Sequence, residues 1–170
     1  KDLHNFLVGD LGVVVHNGCL NAVKEINKDI IGDTGLKHIF HGEIKAGQAF
    51  GVHHISAVKD GTASIVSGSK VSLGPKNSGV YNAKVKVKDE NGNFISKTDN
   101  DGYSTFFPDS WDELKTMDKI REAQNNIVKV ISENSGTKVI LGQTAEGIKI
   151  RITTYSKFNN NIYTAFPDYN

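Results

Sequence analysis

The chain has 170 residues, which is enough for one domain with a real hydrophobic core. Hydrophobic residues make up 38% and charged residues 23%, which argues against a disordered or fibrous chain, while the formal net charge of +1 does not by itself indicate a nucleic-acid-binding protein. No apolar run approaches the roughly 20 residues that a membrane-spanning helix needs, and the single cysteine, Cys19, excludes an intramolecular disulfide.

The first nineteen residues, KDLHNFLVGDLGVVVHNGC, alternate short apolar runs with glycine, unlike the rest of the chain. From the residues alone they predict an edge strand followed by a turn at Asn17 and Gly18. They also resemble the last strands of Hint (intein-like) modules, in which a terminal His-Asn pair supports release of the following segment. We therefore expect residues 1–19 to be the remnant of such a module or a linker, and residues 20–170 to form the working domain. Since the chain begins without Met or a signal-peptide pattern, we expect it to be part of a longer protein.

The next segments predict a helix, a loop and a β-hairpin. Apolar residues at helical spacing run from Leu20 to Ile31 and stop at Gly32, which predicts a short amphipathic helix. Residues 37–58 are dense in histidine and glycine with few helix signals, and residues 67–79 are typical of a surface loop. Residues 83–88 alternate valine or alanine with lysine, and an Asn-Gly pair at 91–92 precedes residues 94–97, as in a hairpin.

The second half of the chain predicts one long helix and a closing sheet. Pro108 and the capping-box spacing of Ser110 and Glu113 favour a helix start. An apolar stripe then continues to the break at Gly136 and consists of Trp111, Leu114, Met117, Ile120, Ala123, Ile127 and Ile131. Short β-branched runs at 137–141, 148–154 and 162–164 predict an antiparallel meander. The fold class is therefore α+β, with N-terminal helices followed by antiparallel sheets and one long helix.

Histidines are concentrated in one short region, with four of the six between positions 38 and 54. An imidazole whose pKa is near 6.5 can both accept and donate a proton at neutral pH. Two imidazoles that face one phosphate can therefore act as base and acid in a single reaction, and a lysine nearby can stabilise the developing negative charge. This combination would cleave RNA without a metal and leave a 2′,3′-cyclic phosphate.

Three other interpretations of these histidines remain open at this point. The histidines can be purely structural, or His38, His41, His53 and His54 can bind zinc together with Glu43, although the chain has no HExxH or CxxC motif. A non-enzymatic adhesion or processing fragment is the third possibility. The chain also lacks the GxSxG motif of serine hydrolases and a glycine-rich phosphate loop.

Four short segments resemble the EndoU ribonucleases and occur in the order of that family. KHIFHGEIK resembles EHVFVGEIK of the eukaryotic members, and GVHHI resembles their GFHNW and the GLHLL of the coronavirus uridylate-specific endoribonuclease. Lys97 followed by YSTFFPDSW resembles a lysine and an SFF-type segment, and STFFPDSW itself is very similar to bacterial EndoU toxins. YTAFP resembles the TAYP or TFYP ending. The resemblance spans about residues 36–167.

The resemblance implies a role for each matching residue. His38 corresponds to the general acid and His53 to the general base, whereas His41 stands where other members have valine. Lys97 corresponds to the catalytic cation, with the lysines at 84, 86 and 88 as a fallback. The resemblance also assigns four substrate-contacting positions, namely Ser104, Thr164, Phe166 and His54.

Two of these assignments carry open questions. His54 is adjacent to His53 and on a strand would face the opposite way, so we expect it to flank or orient the site. Phe166 replaces the usual tyrosine, so stacking is kept while the hydroxyl is lost, and Tyr163 or Tyr169 could supply a hydroxyl instead.

The resemblance further implies a fold of the ribonuclease toxin group and an RNA substrate cleaved at uridines, tRNA among the possibilities. A toxin of this kind would be secreted or delivered by the producing bacterium and would act in the cytoplasm of a target cell. A dedicated immunity protein would protect the producer. Eukaryotic members are described as manganese-dependent, but the two-histidine mechanism needs no metal, so we expect no cofactor.

Overall fold

A computed structural model describes residues 7–8, 13–14, 19–159 and 161–169 of the chain. The helices are α1 (Cys19–Asn27), α2 (Asp33–Phe40), α3 (Ser56–Lys59) and α4 (Glu113–Asn125). The strands are β1 (Leu7–Val8), β2 (Val13–Val14), β3 (Glu43–Lys45), β4 (Gln48–Phe50), β5 (Ala63–Ile65), β6 (Val71–Ser72), β7 (Tyr81–Lys88), β8 (Phe94–Ser96), β9 (Tyr103–Phe106), β10 (Ile127–Glu133), β11 (Thr137–Gln143), β12 (Lys149–Tyr155) and β13 (Ile162–Pro167). Within this described part, no helix is long and apolar enough to cross a membrane.

Two antiparallel sheets organise the molecule. The first is a meander in the order β10-β11-β12-β13. The second is built around β7, which pairs with β5, β6, β8 and β9. Two smaller hairpins, β1-β2 and β3-β4, complete the pairing among the described strands. The sheets meet where β9 lies against β13, and this junction positions the site described below.

Each large sheet has its own hydrophobic core. The meander packs its inner face against α2 and α4, and α1 packs against these two helices. The core between them includes Ile39, Phe40, Ile120, Ile150 and Ile152. The second core lies on one face of β7, where burial alternates along the strand as the period of two requires. Its largest buried side chains, Tyr81 and Phe106, stack with ring centroids 4.8 Å apart.

The α+β class and the antiparallel sheets agree with the sequence prediction. The predicted hairpin is β7-β8, in which Val87 pairs with Ile95 across the Asn91-Gly92 turn. The predicted closing meander is β11-β12-β13.

Several helix predictions were wrong. The first helix ends at Asn27 rather than Ile31, and residues 28–30 form a turn in which the Ile30 backbone N–H bonds to the Asn27 carbonyl. Helix α2 was not predicted, although it lies in the histidine-rich segment.

The long helix also differs at both ends. Its N-cap is Asp112, whose carboxylate accepts a hydrogen bond from the Lys115 backbone N–H at 2.7 Å, so the capping box at Ser110 does not form. The helix ends at Asn125, and Ile127 and Ile131 belong to β10 instead of the helical stripe. β-branched residues favour a strand there, and β11 is available to pair with it.

The predicted processing segment falls mainly outside the described residues. In residues 1–18 only the backbone pairing of β1 with β2 is described, and the pair His16 and Asn17 lies outside. The loop predicted at 67–79 is described throughout and contains only the two-residue strand β6.

Candidate active site

A cleft of about 460 Å³ lies between the two large sheets, at the junction of β9 and β13. One wall comes from α2, the segment after β4, and β9, and the other comes from the outward faces of β12 and β13. Six residues singled out from the sequence line this cleft together: His38, His53, Lys97, Ser104, Thr164 and Phe166. The cleft is lined by residues from five separate stretches of the chain, around positions 38, 50–53, 97–105, 151–155 and 163–168.

His38 lies near the end of α2 and is held by a carboxylate. Its Nδ1–H donates to Glu43 Oε1 at 2.8 Å, and both side chains are buried. Glu43 Oε1 also accepts from Lys45 Nζ at 2.8 Å and from the Tyr163 hydroxyl at 3.1 Å. Burial alone would raise the pKa of Glu43, but the hydrogen bonds from His38 and Lys45 outweigh it and lower the pKa to about 2. Glu43 is therefore ionised at neutral pH and is a counterion for His38 whenever the ring is protonated.

His53 has a different environment. Its Nδ1–H donates to the Thr105 carbonyl oxygen at 2.9 Å, which fixes the tautomer and leaves Nε2 with a free lone pair. Burial, reinforced by the positive charges of His38 and Lys97, lowers the pKa of His53 well below its ordinary 6.5. Phe166 stacks on the ring with centroids 5.0 Å apart, and the His38 ring lies 5.8 Å away. One imidazole is thus next to a carboxylate, and the other is kept neutral.

A strained backbone segment brings the two histidines together. Gly51 and Val52 both have positive φ, +77° and +66°, which is costly for a β-branched residue such as Val52. This conformation lets the backbone N–H groups of Val52 and His53 bond to the carbonyls of His38 and Ile39 at 2.9 and 2.8 Å. The segment after β4 is therefore attached directly to α2.

We expect Gly51→Ala to lower both stability and activity. A Cβ at position 51 would overlap the carbonyl oxygen of His38, and the positive φ adds a strain of about 1–3 kcal/mol. Gly47→Ala is the matched control, because Gly47 has φ +76° but nothing within 4 Å of a Cβ. Urea unfolding and single-turnover cleavage measure stability and activity for the two variants. If Gly47→Ala loses as much stability and activity as Gly51→Ala, the contact with His38 is unimportant.

Lys97 follows β8 and is buried, with a side chain only 6% exposed. Its Nζ donates to the Tyr103 carbonyl at 2.9 Å and to Ser104 Oγ at 3.1 Å, and Asp99 lies 3.8 Å away. Burial lowers the pKa of Lys97, although Asp99 opposes the shift. Ser104 Oγ in turn donates to the Gly51 carbonyl at 2.8 Å, so the cation is connected to the segment that carries His53.

A β-bulge in β13 adds a side chain to the other wall. Thr153 pairs with Thr164 and Thr154 pairs with Ile162, so Tyr163 is an extra, unpaired residue. Ile162 and Ala165 both face the core, whereas Tyr163 and Thr164 both line the cleft. Thr164 Oγ1 is buried and has no hydrogen-bond partner among the described residues, which leaves it available to a ligand.

Tyr163 is the tyrosine, of the two considered from the sequence, that lines the cleft. Its ring lies 4.9 Å from that of His38, and its hydroxyl contacts Glu43 and Lys45. Tyr169 instead accepts from the Lys149 backbone N–H at 3.0 Å and is not among the cleft residues.

Sequence reasoning missed residues in the cleft and one beside it. Glu43 was considered only as a zinc ligand, although it lies within the GEIK segment. Arg151 and Asp168 were not singled out, yet both line the cleft and form an ion pair at 2.8 Å. The alternation of Arg151 and Thr153 with buried isoleucines was a usable signal for Arg151, because it predicts an outward polar face. The sequence offers no comparable signal for Asp168.

The two other histidines within the described ranges, His54 and His41, lie away from the cleft. The ring of His54 is buried and hydrogen-bonded to Ser56 Oγ at 2.9 Å and to the Trp111 carbonyl at 3.0 Å, so it does not contact the cleft as a substrate ligand would. His41 faces Asp60, with Nε2 3.9 Å from the carboxylate. Among the described residues no three His, Cys, Asp or Glu side chains form a group that could hold a metal ion, so the zinc ligand set considered from the sequence is not assembled.

The lysines of β7 also lie outside the cleft lining. Lys84 and Lys88 are exposed and Lys86 is half-buried. Lys84 Nζ lies 5.3 Å from the ring centroid of Tyr103, a cleft residue. These lysines therefore border the cleft at most, and Lys97 is the lysine within it.

Comparison with known proteins gives a consistent result. The family model described as "Bacterial EndoU nuclease" matches residues 32–169. A protein of Bacillus cereus named "Toxin" is 38% identical over 136 residues, which cover 78% of this chain and 22% of that protein. The chain thus spans less than a quarter of its relative's length. No solved structure matches the chain.

Proposed function

The chain belongs to the bacterial EndoU nuclease family, and we propose that it is the endoribonuclease domain of a toxin. In this proposal it cleaves RNA by transesterification and leaves a 2′,3′-cyclic phosphate and a free 5′-hydroxyl. The observation that carries the proposal is the pair formed by His38 and His53, whose ring centroids are 5.8 Å apart. One ring is next to an ionised carboxylate and the other is held neutral, as an acid and a base require.

The chemistry divides between the two rings. Neutral His53 accepts the proton of the ribose 2′-hydroxyl at Nε2, because its Nδ1 is engaged with Thr105. The 2′-oxygen then forms a bond to phosphorus, and the bond from phosphorus to the 5′-oxygen breaks. His38, entering as the imidazolium, donates its Nε2 proton to the departing 5′-oxygen, while Glu43 holds Nδ1. The 2′-hydroxyl thus loses its proton to His53, and the departing 5′-oxygen gains one from His38.

The remaining cleft residues stabilise charge and hold the nucleotide. Lys97, buried beside Ser104, stabilises the negative charge that develops on the non-bridging phosphate oxygens. Phe166 stacks against His53 and offers an aromatic surface to a base or ribose. Thr164 Oγ1 is unpartnered among the described residues and would bond to the base or the phosphate. We propose uridine as the preferred base, on the family resemblance.

One experiment separates this mechanism from metal-dependent hydrolysis. The purified chain is incubated with labelled RNA in EDTA, and the product ends are analysed. Cyclic phosphate ends formed in EDTA support the proposal. Activity that is lost on chelation and restored by zinc would favour a metal hydrolase, and an inert, folded protein would favour a non-enzymatic fragment.

The pH dependence should reflect the lowered pKa of His53. His53 must be neutral to act as base, so kcat/KM should fall on acidification only below pH 6.5, since its pKa lies well below that value. The charge of Lys97 contributes to this lowering, after burial and His38. In Lys97→Met the pKa of His53 should therefore rise toward 6.5, as measured by NMR titration of the imidazole. An unchanged His53 pKa in this variant would contradict the arrangement.

The toxin part of the proposal concerns the cell. We propose that the producing bacterium delivers the domain, that it acts in the target-cell cytoplasm, and that a small immunity protein covers the cleft with acidic side chains near Lys97. Charge complementarity of this kind speeds association and is weakened by salt. Expression in bacteria without such a partner should be toxic, and the catalytically inactive His53→Ala form should not. Harmless expression of the folded, intact chain would contradict this part alone.

We further propose that the chain divides near residue 19, with residues 20–170 as the nuclease domain and residues 1–19 as the tail of a processing module or a linker. The support is the His16-Asn17 pair and the start of the family match at residue 32. Deletion of residues 1–18 should therefore leave RNA cleavage intact.

A further inference from the structure

The side of the four-stranded sheet that carries the cleft continues beyond it. Two rows of cross-strand neighbours run from the edge strand β10 to the cleft: Lys129–Leu141–Arg151–Phe166 and Ser132–Val139–Thr153–Thr164. A third pair, Gln143 and Lys149, lies beside them. Directly paired residues share a face, and the opposite face, with Ile140, Ile150 and Ile152, is buried in the core. We call the residues of these two rows and this pair the outer face.

The outer face is positively charged. Lys129 and Lys149 are exposed, and within the described residues neither has an ion-pair partner. Arg151 is half-exposed and paired with Asp168 at the edge of the cleft. Asp168 borders these rows, but no member of the rows or of the neighbouring pair is acidic. The only carboxylate on β10, Glu133, pairs with Lys138 in the row that faces the other side. Two lysines without an ion-pair partner among the described residues therefore lie on this face, and no carboxylate stands in the rows to offset their charge.

The outer face also offers apolar surface between the cations. Val139 and Leu141 are only half-buried, and Leu141 lies between Lys129 and Arg151 in its row. At the end of that row Phe166 stacks on His53, so the row leads directly into the candidate active site. With strands about 4.8 Å apart, the row extends about 14 Å from the cleft to the sheet edge.

We propose that the outer face binds the single-stranded RNA that flanks the cleaved bond, with Lys129 and Lys149 contacting phosphates. Sites for a single strand combine positive side chains along the backbone with aromatic surfaces for the bases, and here Lys129 and Lys149 supply the charge while Phe166 ends the row with an aromatic ring. The continuity with the cleft favours the substrate's own strand over an unrelated ligand. This inference rests on the proposed function, since it gives a binding surface to the part of the same RNA substrate that lies outside the cleft.

The test compares a short and a long substrate in one double variant. Lys129→Gln with Lys149→Gln should leave cleavage of the dinucleotide UpA unchanged, because neither lysine lines the cleft. Cleavage of a single-stranded RNA of about 20 nucleotides, longer than most single-strand sites, should fall on the order of tenfold at low salt. The matched control is Lys28→Gln with Lys138→Gln, which removes the same charge at exposed or half-buried positions off the outer face.

Binding of the long RNA, measured by fluorescence anisotropy at several salt concentrations, gives a second readout. The slope of log affinity against log salt should become shallower by about 1.4, or 0.7 for each lost phosphate contact. An unchanged slope, or an equal loss with both substrates, would overturn the proposal. If the wild-type chain cleaves neither substrate, the proposed function fails, while the anisotropy comparison still decides whether the outer face binds RNA.

Discussion

Replacing His53 or His38 with alanine is expected to lower single-turnover RNA cleavage by about 100-fold to 10,000-fold, the usual contribution of general acid or base catalysis. Both rings line the cleft, and each has its Nδ1 engaged, with Glu43 or with the Thr105 carbonyl. The loss should therefore come from removal of a proton acceptor or donor. Rates with labelled RNA in EDTA, together with circular dichroism, measure the effect and the fold.

His41→Ala is the matched control for both substitutions. His41 lies in the same segment, but its ring faces Asp60 rather than the cleft, so its loss should cost far less. Added imidazole should restore part of the activity of His53→Ala if the missing group is a base. A His41 variant as impaired as His53→Ala, with His38→Ala fully active, would make the assignment of acid and base wrong.

Lys97→Met is expected to lower the rate of the chemical step by about 100-fold to 1,000-fold, the typical loss when one preorganised charge-stabilising donor is removed. Lys97 Nζ is buried and held by Tyr103 and Ser104, so it needs little reorganisation when charge develops on the phosphate. Its effect on RNA affinity should be smaller, because its interaction strengthens in the transition state.

Lys86→Ala should behave in the opposite way. Lys86 is half-buried on β7, outside the cleft lining, and can contribute to phosphate binding but not to the reacting centre. Affinity and single-turnover rate measured for both variants decide the question. A Lys97 variant that binds RNA weakly but turns over bound RNA at the wild-type rate would move the cationic role to another residue.

Local patterns predicted the strands well where one face of the strand is apolar and the other is polar. The alternation in β7 and the Asn-Gly turn predicted the hairpin, and β-branched runs predicted β11, β12 and β13. Strand β10 was misread because Ile127 and Ile131 continue the four-residue spacing of the preceding helix. Pairing with β11, a long-range interaction, decides the outcome there and cannot be read from a local window.

Helix α2 was missed for a different reason. Leu36, Ile39 and Phe40 have helical spacing, but Gly32 ended the first predicted helix and residues 37–58 showed few helix signals. The helix forms because its apolar side packs into the first core. Tertiary packing thus outweighs weak local propensity in the segment that carries His38.

The cleft itself was only partly predictable. The family resemblance singled out six residues that line one cleft, which spacing alone could not have done for positions as distant as His38 and Phe166. Glu43, Arg151 and Asp168 were not assigned to the site because their partners are brought close only by the fold, His38 beside Glu43 and Asp168 beside Arg151. His54 was placed beside the site by its adjacency to His53, whereas its ring bonds to Trp111 in the interior.

In a regular strand, the number of residues determines which face each following side chain points to. The bulge at Tyr163 removes this dependence. In a regular strand one additional residue exchanges the two faces of all residues beyond it, which would move Ala165 out of the core and Phe166 into it. Because the bulge absorbs the additional residue, Ile162 and Ala165 keep their core positions on either side of it. Insertion or deletion of a single codon here can therefore add or remove a cleft side chain without rebuilding the interior. Evolution can adjust what this nuclease recognises at a position where chain length, and not only residue type, is free to vary.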